Sequence, residues 1–252
     1  MTTEFRGRSV IVIGGAKGIG KAVVDAFAQA GANVAIGYHS DADAARRVAS
    51  AAAEAGAPTA VAHSVEVADA ASVTSFYDAA EAEIGSADIV VLTAGRLVLS
   101  PVVELSDEAW AECLATNLSG AMYCMREAAR RMVPRGRGRI IAFASMAGKS
   151  GVHPGVGAYA AAKGGVIALA RSLAAEVAPQ GVTVNVVAPA LIETDILAAL
   201  PPQRKQQMVA SIPVGHLGDP ADAAHVVLFL ASDRAGFITG ETINLSGGRF
   251  MD

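Results

Sequence analysis

Residues 9–20 read SVIVIGGAKGIG, a β-branched apolar run that passes directly into a glycine-rich segment. The run Ser9–Ile13 is typical of a short strand buried on both faces. Gly14, Gly18 and Gly20 follow it with the spacing G-x-x-x-G-x-G and open a helical pattern. Glycines at such a point let the backbone turn tightly and approach a pyrophosphate, which the helix N–H groups then bind. The stretch predicts a dinucleotide-binding unit of strand, loop and helix.

Strand-like and helix-like patterns alternate along the rest of the chain. The predicted strands are residues 9–13, 33–38, 59–64, 88–92, 139–144, 183–187 and 242–245. The predicted helices are residues 19–30, 41–55, 70–84, 107–132, 158–178 and 221–230. Repeated βα units imply a parallel sheet with right-handed crossovers and helices on both faces. No linker or shift in composition interrupts them, so we expect one doubly wound, Rossmann-type α/β domain over residues 1–252, with a seven-stranded parallel sheet.

Composition limits the class of protein. The 252 residues are 52% hydrophobic and 17% charged, with a net charge of −4. This charged fraction lies below the roughly 25% of an average soluble domain, which favours burial of surface in a homo-oligomer. The net negative charge argues against nucleic-acid binding. Cys113 and Cys124 are the two cysteines, too few for a disulfide framework, and no apolar run is long enough for a membrane span. We expect a cytoplasmic protein with no metal site and no membrane contact.

Four polar residues form a candidate catalytic group. Tyr159 and Lys163 lie four residues apart in a helical pattern, Y-A-A-A-K, so they share one helix face. An ammonium group beside a phenol favours the ionised phenol, which suits acid–base work. Ser145 follows an apolar strand, and Asn117 lies in the preceding predicted helix. Each residue alone is explained by a turn, a bend or packing, but their order behind a glycine loop favours catalysis.

Together these motifs resemble the short-chain dehydrogenase/reductase family. Three further segments match its pattern: LTAG at 92–95, PALIET at 189–194 and ITGETINLSGG at 238–248. The resemblance covers essentially the whole chain and is greatest for reductases of the 3-oxoacyl-[acyl-carrier-protein] type. It implies an oxidoreductase that reduces a carbonyl to a secondary alcohol.

The resemblance assigns a role to each member of the candidate catalytic group. Tyr159 is the implied proton donor to the carbonyl, and Ser145 would hydrogen-bond and orient the substrate oxygen. Lys163 would also hold the nicotinamide ribose. Asn117 would fix a water molecule that connects Lys163 to solvent.

The resemblance also implies a set of cofactor-binding residues. These are Gly14, Lys17, Gly18, Ile19, Gly20, Tyr38, His39, Ser40, Glu66, Val67, Thr93, Ala94, Gly95, Lys163, Pro189, Ile192 and Thr194. NAD enzymes of this kind usually end the second strand with an acid, but here Tyr38, His39 and Ser40 follow one another. Lys17 stands where NADP-using relatives place a basic residue. We therefore expect NADP(H), with NAD(H) as the alternative; Glu66 replaces the usual Asp beside the adenine.

Three positions depart from the family pattern. Ile13 replaces a Thr, and Leu92 replaces the first Asn of N-N-A-G, although both positions normally brace the phosphate loop. We expect a repacked brace in which Thr93 supplies the hydroxyl. Ala190 replaces a Gly and makes the backbone less permissive there.

Residues 189–219 interrupt the alternation of predicted strands and helices. The segment carries Pro201, Pro202 and Pro213 and the polar stretch QRKQQ at 203–207. A long insertion beyond a strand's carboxyl end predicts a mobile substrate lid anchored by Thr194. The alternative is a surface loop with a short helix.

Arginines crowd the end of the fourth predicted helix and the following turn: Arg126, Arg130, Arg131, Arg135, Arg137 and Arg139. Cations favour a helix C-terminus, so a solvated helix end explains them. The functional alternative is a docking patch for an acyl carrier protein, and nucleic-acid binding is a more remote one.

Apolar residues in the loops on the substrate side favour a carbonyl or alcohol substrate of apolar character. These residues are Leu97, Val98, Met146, Val152, Val156, Leu191 and Ile196. The resulting hypothesis is an NADP(H)-dependent carbonyl reductase. An NAD(P)-dependent alcohol or steroid-like dehydrogenase and a non-catalytic dinucleotide-sensing protein are the alternatives. We expect a homotetramer, and the family resemblance implies one interface on the two long helices and another on the last helix and strand.

Overall fold

The computed structural model describes residues 4–150, 154–194 and 201–251. Its seven strands are β1 (Ser9–Ile13), β2 (Asn33–Tyr38), β3 (Ala60–Ser64), β4 (Ile89–Leu92), β5 (Gly138–Phe143), β6 (Val182–Pro189) and β7 (Thr242–Leu245). They form one sheet in the order β3-β2-β1-β4-β5-β6-β7, and every neighbouring pair is parallel. The chain reverses its direction of travel across the sheet between β1 and β4, which opens a crevice at the carboxyl ends of these strands. The predicted doubly wound α/β fold is confirmed.

Nine α-helices surround the sheet in the described part of the chain. They are α1 (Gly18–Gln29), α2 (Ala42–Ala55), α3 (Ala70–Ile84), α4 (Asp107–Leu114), α5 (Gly120–Met132), α6 (Met146–Ser150), α7 (Gly157–Val177), α8 (Pro202–Ala210) and α9 (Pro220–Ala231). The apolar sides of α3, α5 and α7 pack on one face of the sheet, and those of α1, α2 and α9 pack on the other. The central strands are buried on both faces, which explains their continuous β-branched sequences. None of the described helices is both long and apolar enough to cross a membrane.

The predicted helix over residues 107–132 is helical throughout, but it is not α-helical throughout. A π-helical turn, Ala115–Ser119, separates α4 from α5. Its central residue, Asn117, is 1% exposed and donates from its side-chain amide to the Cys113 carbonyl at 3.0 Å. A side chain that bonds to the preceding turn competes with the regular ladder and favours this local change of winding.

Part of the segment 189–219 is anchored to the body of the protein. Ile192 forms a β-bridge with Gly218, and Glu193 donates its N–H to the Gly218 carbonyl at 2.7 Å. The polar stretch at 203–207 lies in α8, which buries none of its residues, whereas Ile212 beyond it is 5% exposed. The segment therefore combines a fixed base with an exposed helix.

Candidate active site

The glycine loop after β1 is shaped by close backbone contacts. Gly14 has φ +91° and Gly18 has φ +54°, in the region that side chains disfavour. A Cβ on Gly14 would lie 2.7 Å from Thr93 Oγ1, and a Cβ on Gly20 would overlap the Gly14 carbonyl oxygen. Each of the three positions therefore requires glycine for a steric reason. At Gly14 and Gly18 the reason is the backbone conformation, and at Gly20 it is the close packing of the helix against the loop.

Thr93 braces this loop. Its Oγ1 donates to the Ile13 carbonyl at 3.0 Å, and the same carbonyl accepts the N–H groups of Thr93 and Ala94. The expectation that Thr93 supplies the hydroxyl missing at Ile13 and Leu92 is confirmed. A threonine one residue later in the sequence thus ties β1 to the end of β4.

The start of α1 fits a pyrophosphate. Lys17 before α1 caps no backbone N–H with its side chain, as is also the case for the residues before α7 and α8. The first-turn N–H groups, including those of Gly18 and Ile19, have no partner within the helix and lie at the positive end of the helix dipole. Glycines keep the approach open, and Thr194 lies next to Gly18, its Cγ2 3.6 Å from where a Cβ would stand.

A second part of the crevice lies at the end of β2. The N–H of Gly14 donates to the Gly37 carbonyl at 2.9 Å, so the end of β2 adjoins the glycine loop. His39 Nε2 lies 2.8 Å from a carboxylate oxygen of Glu66, and both side chains are largely exposed. No acid stands in sequence at 38–40, but the fold brings a carboxylate there. Sequence reasoning missed the pair because its members are distant along the chain and meet only through the register of β2 on β3.

The reactive end of the crevice is formed by the start of α7 and the loop after β5. Lys163 is 4% exposed, its Nζ donates to the Phe143 carbonyl at 2.8 Å, and it lies 5.7 Å from the ring centroid of Tyr159. Burial lowers the pKa of Lys163 to about 8 from its usual 10.5. Burial also raises the pKa of Tyr159, and a hydrogen bond with Ser145 acts in the opposite direction.

These pKa directions differ from the expected effect of the Lys163 charge on the ionisation of Tyr159. The sequence suggested that Lys163 would favour the phenolate of Tyr159, but desolvation dominates and the pKa of Tyr159 is raised. The lysine nitrogen is bonded to the Phe143 carbonyl instead. A neutral phenol bonded to Ser145 is the form that donates a proton, so this arrangement suits reduction of a carbonyl.

Asn117 connects this end to the loop after β4. Its Oδ1 accepts the N–H of Arg96 at 3.0 Å, and its Nδ2 donates to the Arg96 carbonyl at 2.9 Å. The side chain therefore braces residues 95–96, and its role in holding a relay water stays a prediction. Cys113 lies beside it, with its thiol sulfur 3.6 Å from the amide nitrogen.

Two glycines set the space around Lys163. A Cβ on Gly95 would lie 2.9 Å from Asn117 Oδ1 and 3.3 Å from Lys163 Nζ. A Cβ on Gly148 would lie 2.6 Å from the Gly164 nitrogen. Sequence reasoning missed Gly148, Phe143 and Cys113, because such close approaches between distant segments leave no local signal.

Two further groups of predicted residues lie around the crevice or partly outside the described residues. Pro189 ends β6, Val67 is buried beside the crevice, and Ile192 is 6% exposed at the base of the segment 189–219. Among the apolar substrate-side residues, Val152 and Ile196 lie outside the described residues, and Leu97 is 49% exposed. No three His, Cys, Asp or Glu side chains gather as a metal site in residues 4–150, 154–194 and 201–251.

The arginine cluster lies away from this site. Arg139 is at the amino end of β5, whereas Ser145 follows its carboxyl end, about 20 Å along the strand direction. Arg131 bonds to Asp78, Glu81 and Glu127, and the other five arginines contact carboxylates, carbonyls or an aromatic ring. These contacts neutralise much of the cluster and support the structural explanation for it.

Comparisons with known proteins agree with this geometry. The family profile described as enoyl-(acyl carrier protein) reductase matches residues 14–249. The 3-oxoacyl-[acyl-carrier-protein] reductase FabG of Escherichia coli is 38% identical over 248 residues, which are 98% of this chain and 99% of that protein. Its Staphylococcus aureus counterpart is 36% identical over 97% of this chain and 98% of that protein.

A solved structure shows the same architecture. The 3-oxoacyl-[acyl-carrier protein] reductase of Brucella melitensis superposes with a TM-score of 0.93 at 31% identity, covering 100% of this chain and 94% of that one. Sequence and fold agree over the full length, with the glycine loop, Ser145, Tyr159 and Lys163 at the carboxyl edge of the sheet. The chain belongs to the short-chain dehydrogenase/reductase family and is an oxidoreductase that uses a nicotinamide dinucleotide.

Proposed function

We propose that this protein reduces the ketone of a 3-oxoacyl thioester to a secondary alcohol with NADPH. The observation that carries the proposal is the half-buried Tyr159 on α7, whose ring centroid lies 5.7 Å from the Nζ of the buried Lys163 at the crevice. The identity with 3-oxoacyl-[acyl-carrier-protein] reductases over nearly the whole chain supports the thioester as substrate class. Exposed apolar side chains on the loop after β4, such as Leu97 and Leu99, suit an acyl chain.

The chain's own residues perform the proton chemistry. The bound nicotinamide supplies the hydride. Ser145 and Tyr159 hydrogen-bond the ketone oxygen and hold it in a fixed orientation as negative charge develops on it. Tyr159 then transfers its phenolic proton to that oxygen. The ammonium of Lys163 stabilises the phenolate left behind, and its pKa of about 8 lets it exchange protons near neutral pH.

Cofactor selection rests on the end of β2 and the glycine loop. Lys17 supplies a positive charge on the loop, and His39 and Ser40 follow β2 with their side chains exposed. These groups suit a ribose 2′-phosphate. The uncapped first turn of α1 holds the pyrophosphate, while Thr194 beside Gly18 binds at the nicotinamide end.

Residues 189–219 act as a lid over cofactor and substrate. The bridge between Ile192 and Gly218 is the fixed base, and the exposed α8 is the moving part. Closure excludes water during hydride transfer. Contacts between bound ligand and Thr194 drive the closure.

The active form is a cytoplasmic homotetramer. Phe229 in α9 is 46% exposed and Phe237 is fully exposed, which marks one apolar face beside β7. Trp110 in α4 is 41% exposed and marks a second face. Large exposed apolar side chains on two sides of a protein with few charges favour two self-complementary interfaces. The acyl group arrives on an acyl carrier protein, as the names of the relatives indicate.

A substrate panel tests the proposal. Acetoacetyl thioester, crotonyl thioester, a simple aliphatic ketone and a steroid ketone are each incubated with NADPH or NADH, and loss of nicotinamide absorbance is followed. We expect the highest kcat/KM for acetoacetyl thioester with NADPH. Faster reduction of the crotonyl double bond, or of the ketones without a thioester, would reject the 3-oxoacyl assignment. No turnover of any of them would favour the dinucleotide-sensing alternative.

A further inference from the structure

We propose that an open cavity at the amino edge of the sheet binds inorganic phosphate, at the end of the strands opposite to the active-site crevice. The cavity has a volume of about 200 Å³ and lies where β1, β4 and β5 begin. A single water molecule needs only about 10–15 Å³ by this measure, so the cavity has room for a small hydrated ion. Its charged lining residues are Arg8, Asp88, Arg137, Arg139 and Asp233.

The arginines of this cavity engage few of their donors. Arg8 Nη2 lies 3.3 Å from each carboxylate oxygen of Asp233, and Arg139 Nη2 lies 3.7 Å from one of them. The side chain of Arg137 makes no hydrogen bond to any described residue and lies 3.3 Å from Asp88 Oδ1. Because a guanidinium group has five N–H donors, each of the three arginines keeps donors for an oxyanion.

The charge at the cavity favours an anion. Three arginines face two aspartates there, and Asp233 is a weak competitor for Arg8 because its side chain is 79% exposed. Arg131, in contrast, contacts its three carboxylates at 2.6, 2.8 and 2.9 Å and is neutralised by them. The cavity therefore retains positive charge that the surroundings of Arg131 have lost.

Two buried atoms at this cavity have no hydrogen-bond partner among the described residues. The Asp88 side chain is 8% exposed, and its Oδ2 accepts the N–H of Ser9 at 3.2 Å, but its Oδ1 accepts no hydrogen bond. The Nε–H of Arg139, whose side chain is 16% exposed, donates to no acceptor. Buried polar groups are normally hydrogen-bonded, so these atoms indicate a ligand that donates to Asp88 and accepts from Arg139. Arg137 is 64% exposed, so it can turn away from Oδ1 and toward this ligand.

Inorganic phosphate meets both requirements. At neutral pH its ionised oxygens accept hydrogen bonds from guanidinium groups, and it keeps at least one O–H, which can donate to Asp88 Oδ1. Sulfate has no proton at neutral pH and would place a charged oxygen against the carboxylate. Phosphate monoesters lose their last proton with a pKa of about 6, and diesters have none at neutral pH, so Asp88 disfavours both. Arginines beside a buried aspartate therefore select inorganic phosphate by its proton.

The test is isothermal titration calorimetry on the protein saturated with oxidised nicotinamide cofactor, so that the active-site crevice is occupied. Inorganic phosphate, sulfate, glycerol 3-phosphate and dimethyl phosphate are titrated separately at neutral pH. We expect one phosphate site per chain, with an affinity at least about tenfold above that for each of the other three ions. Equal affinity for phosphate and sulfate would refute selection by Asp88, and tighter binding of glycerol 3-phosphate would reject inorganic phosphate as the ligand.

Arginine variants locate the site. Arg137→Gln and Arg139→Gln should each weaken phosphate binding about tenfold or more, through loss of a charge-assisted hydrogen bond. Arg130→Gln is the matched control, because Arg130 is 66% exposed, contacts the carboxylate of Glu127 and lies outside the cavity. The affinity of this control for phosphate should equal that of the wild-type protein.

Asp88→Asn tests the choice of ion. An asparagine oxygen can still accept the Ser9 N–H, and the amide NH₂ group then stands in place of Oδ1 as a donor. The affinity for phosphate should fall, the affinity for sulfate should rise, and the preference between them should disappear. A preference that Asp88→Asn retains would overturn the role of Asp88. Thermal unfolding of each variant checks that it is folded.

The remaining outcomes decide the location of the ion. An absence of phosphate binding by the wild-type protein would overturn the proposal, as would phosphate binding that both arginine variants of the cavity retain. Binding that Lys17→Gln removes instead would place the ion at the glycine loop of the crevice and reject the cavity. The titrations measure no turnover, so failure of this inference would leave the proposed reduction of a 3-oxoacyl thioester intact.

Discussion

Replacing Lys163 with methionine removes a buried ammonium group and its energetic cost. The free energy of unfolding of the variant, relative to that of the wild-type protein, should therefore be highest at neutral pH and should fall as pH rises. Lys163 is 4% exposed, and burial holds its pKa at about 8 in the folded protein against a usual 10.5. The unfolded chain therefore binds more protons than the folded one between these two values. The stability of the wild-type protein consequently rises with pH through this window, and below pH 8 it carries the full penalty.

The size of the effect follows from the two pKa values. Each pKa unit corresponds to about 1.4 kcal/mol, and between pH 7 and pH 10 most of the difference is relieved. Over this range, we expect the unfolding free energy of the wild-type protein to rise by about 2–3 kcal/mol relative to that of the Lys163→Met variant. Loss of the bond to the Phe143 carbonyl shifts the variant by a constant amount and does not alter this dependence.

The measurement is urea unfolding of both proteins at several pH values and one fixed protein concentration, since any oligomer links stability to concentration. Lys21→Met is the matched control, because Lys21 is exposed on α1 and pairs with Asp25. The difference between the control and the wild type should stay constant with pH. A constant difference for Lys163→Met as well would refute the claim that Lys163 is held in a desolvated site.

Four further results are expected. Tyr159→Phe should lower kcat by about 10²- to 10⁴-fold, the range of general acid catalysis, while calorimetric binding of NADP(H) stays unchanged; activity within tenfold of wild type would remove Tyr159 as the proton donor. Thr93→Val should lower the unfolding free energy by about 1 kcal/mol through loss of the Ile13 contact, whereas Thr93→Ser should not; equal losses would contradict the brace. Light scattering at micromolar concentration should give the mass of a tetramer, and a monomer mass would reject both interfaces. Hydrogen exchange within residues 189–219 should slow on addition of NADP(H), and exchange that is slow from the start and unresponsive would mean a fixed scaffold.

The sheet was predictable from sequence because its signals are local. Buried parallel strands require continuous β-branched runs, and the glycine spacing directly after β1 is a short local motif. The predicted strands differ from the observed ones by two residues or fewer at any end; the largest difference is β6, which continues to Pro189. Such ends depend on ladder bonds from neighbouring strands, which the sequence of one strand does not contain.

The details that tune the site were not predictable, because each depends on two segments that meet only in the fold. The hydrogen bonds of Asn117 to the backbone of Arg96 join the helix to a residue on another element. The contact of His39 with Glu66 requires β2 and β3 to pair in one register. Thr93 was predictable, in contrast, because the departures at Ile13 and Leu92 left one hydroxyl nearby in sequence.

The direction of the pKa shifts has a consequence for the direction of the reaction. Reduction begins with a protonated Tyr159, and burial, which raises the pKa of this residue, keeps it protonated at neutral pH. Oxidation of the alcohol begins with the phenolate, so it needs the proton removed first, against the same desolvation. Lys163, with a pKa of about 8, loses its own charge as pH rises and then stabilises the phenolate less. Reduction should therefore proceed at neutral pH without prior ionisation, whereas the rate of oxidation should climb with pH and level off as Lys163 becomes neutral.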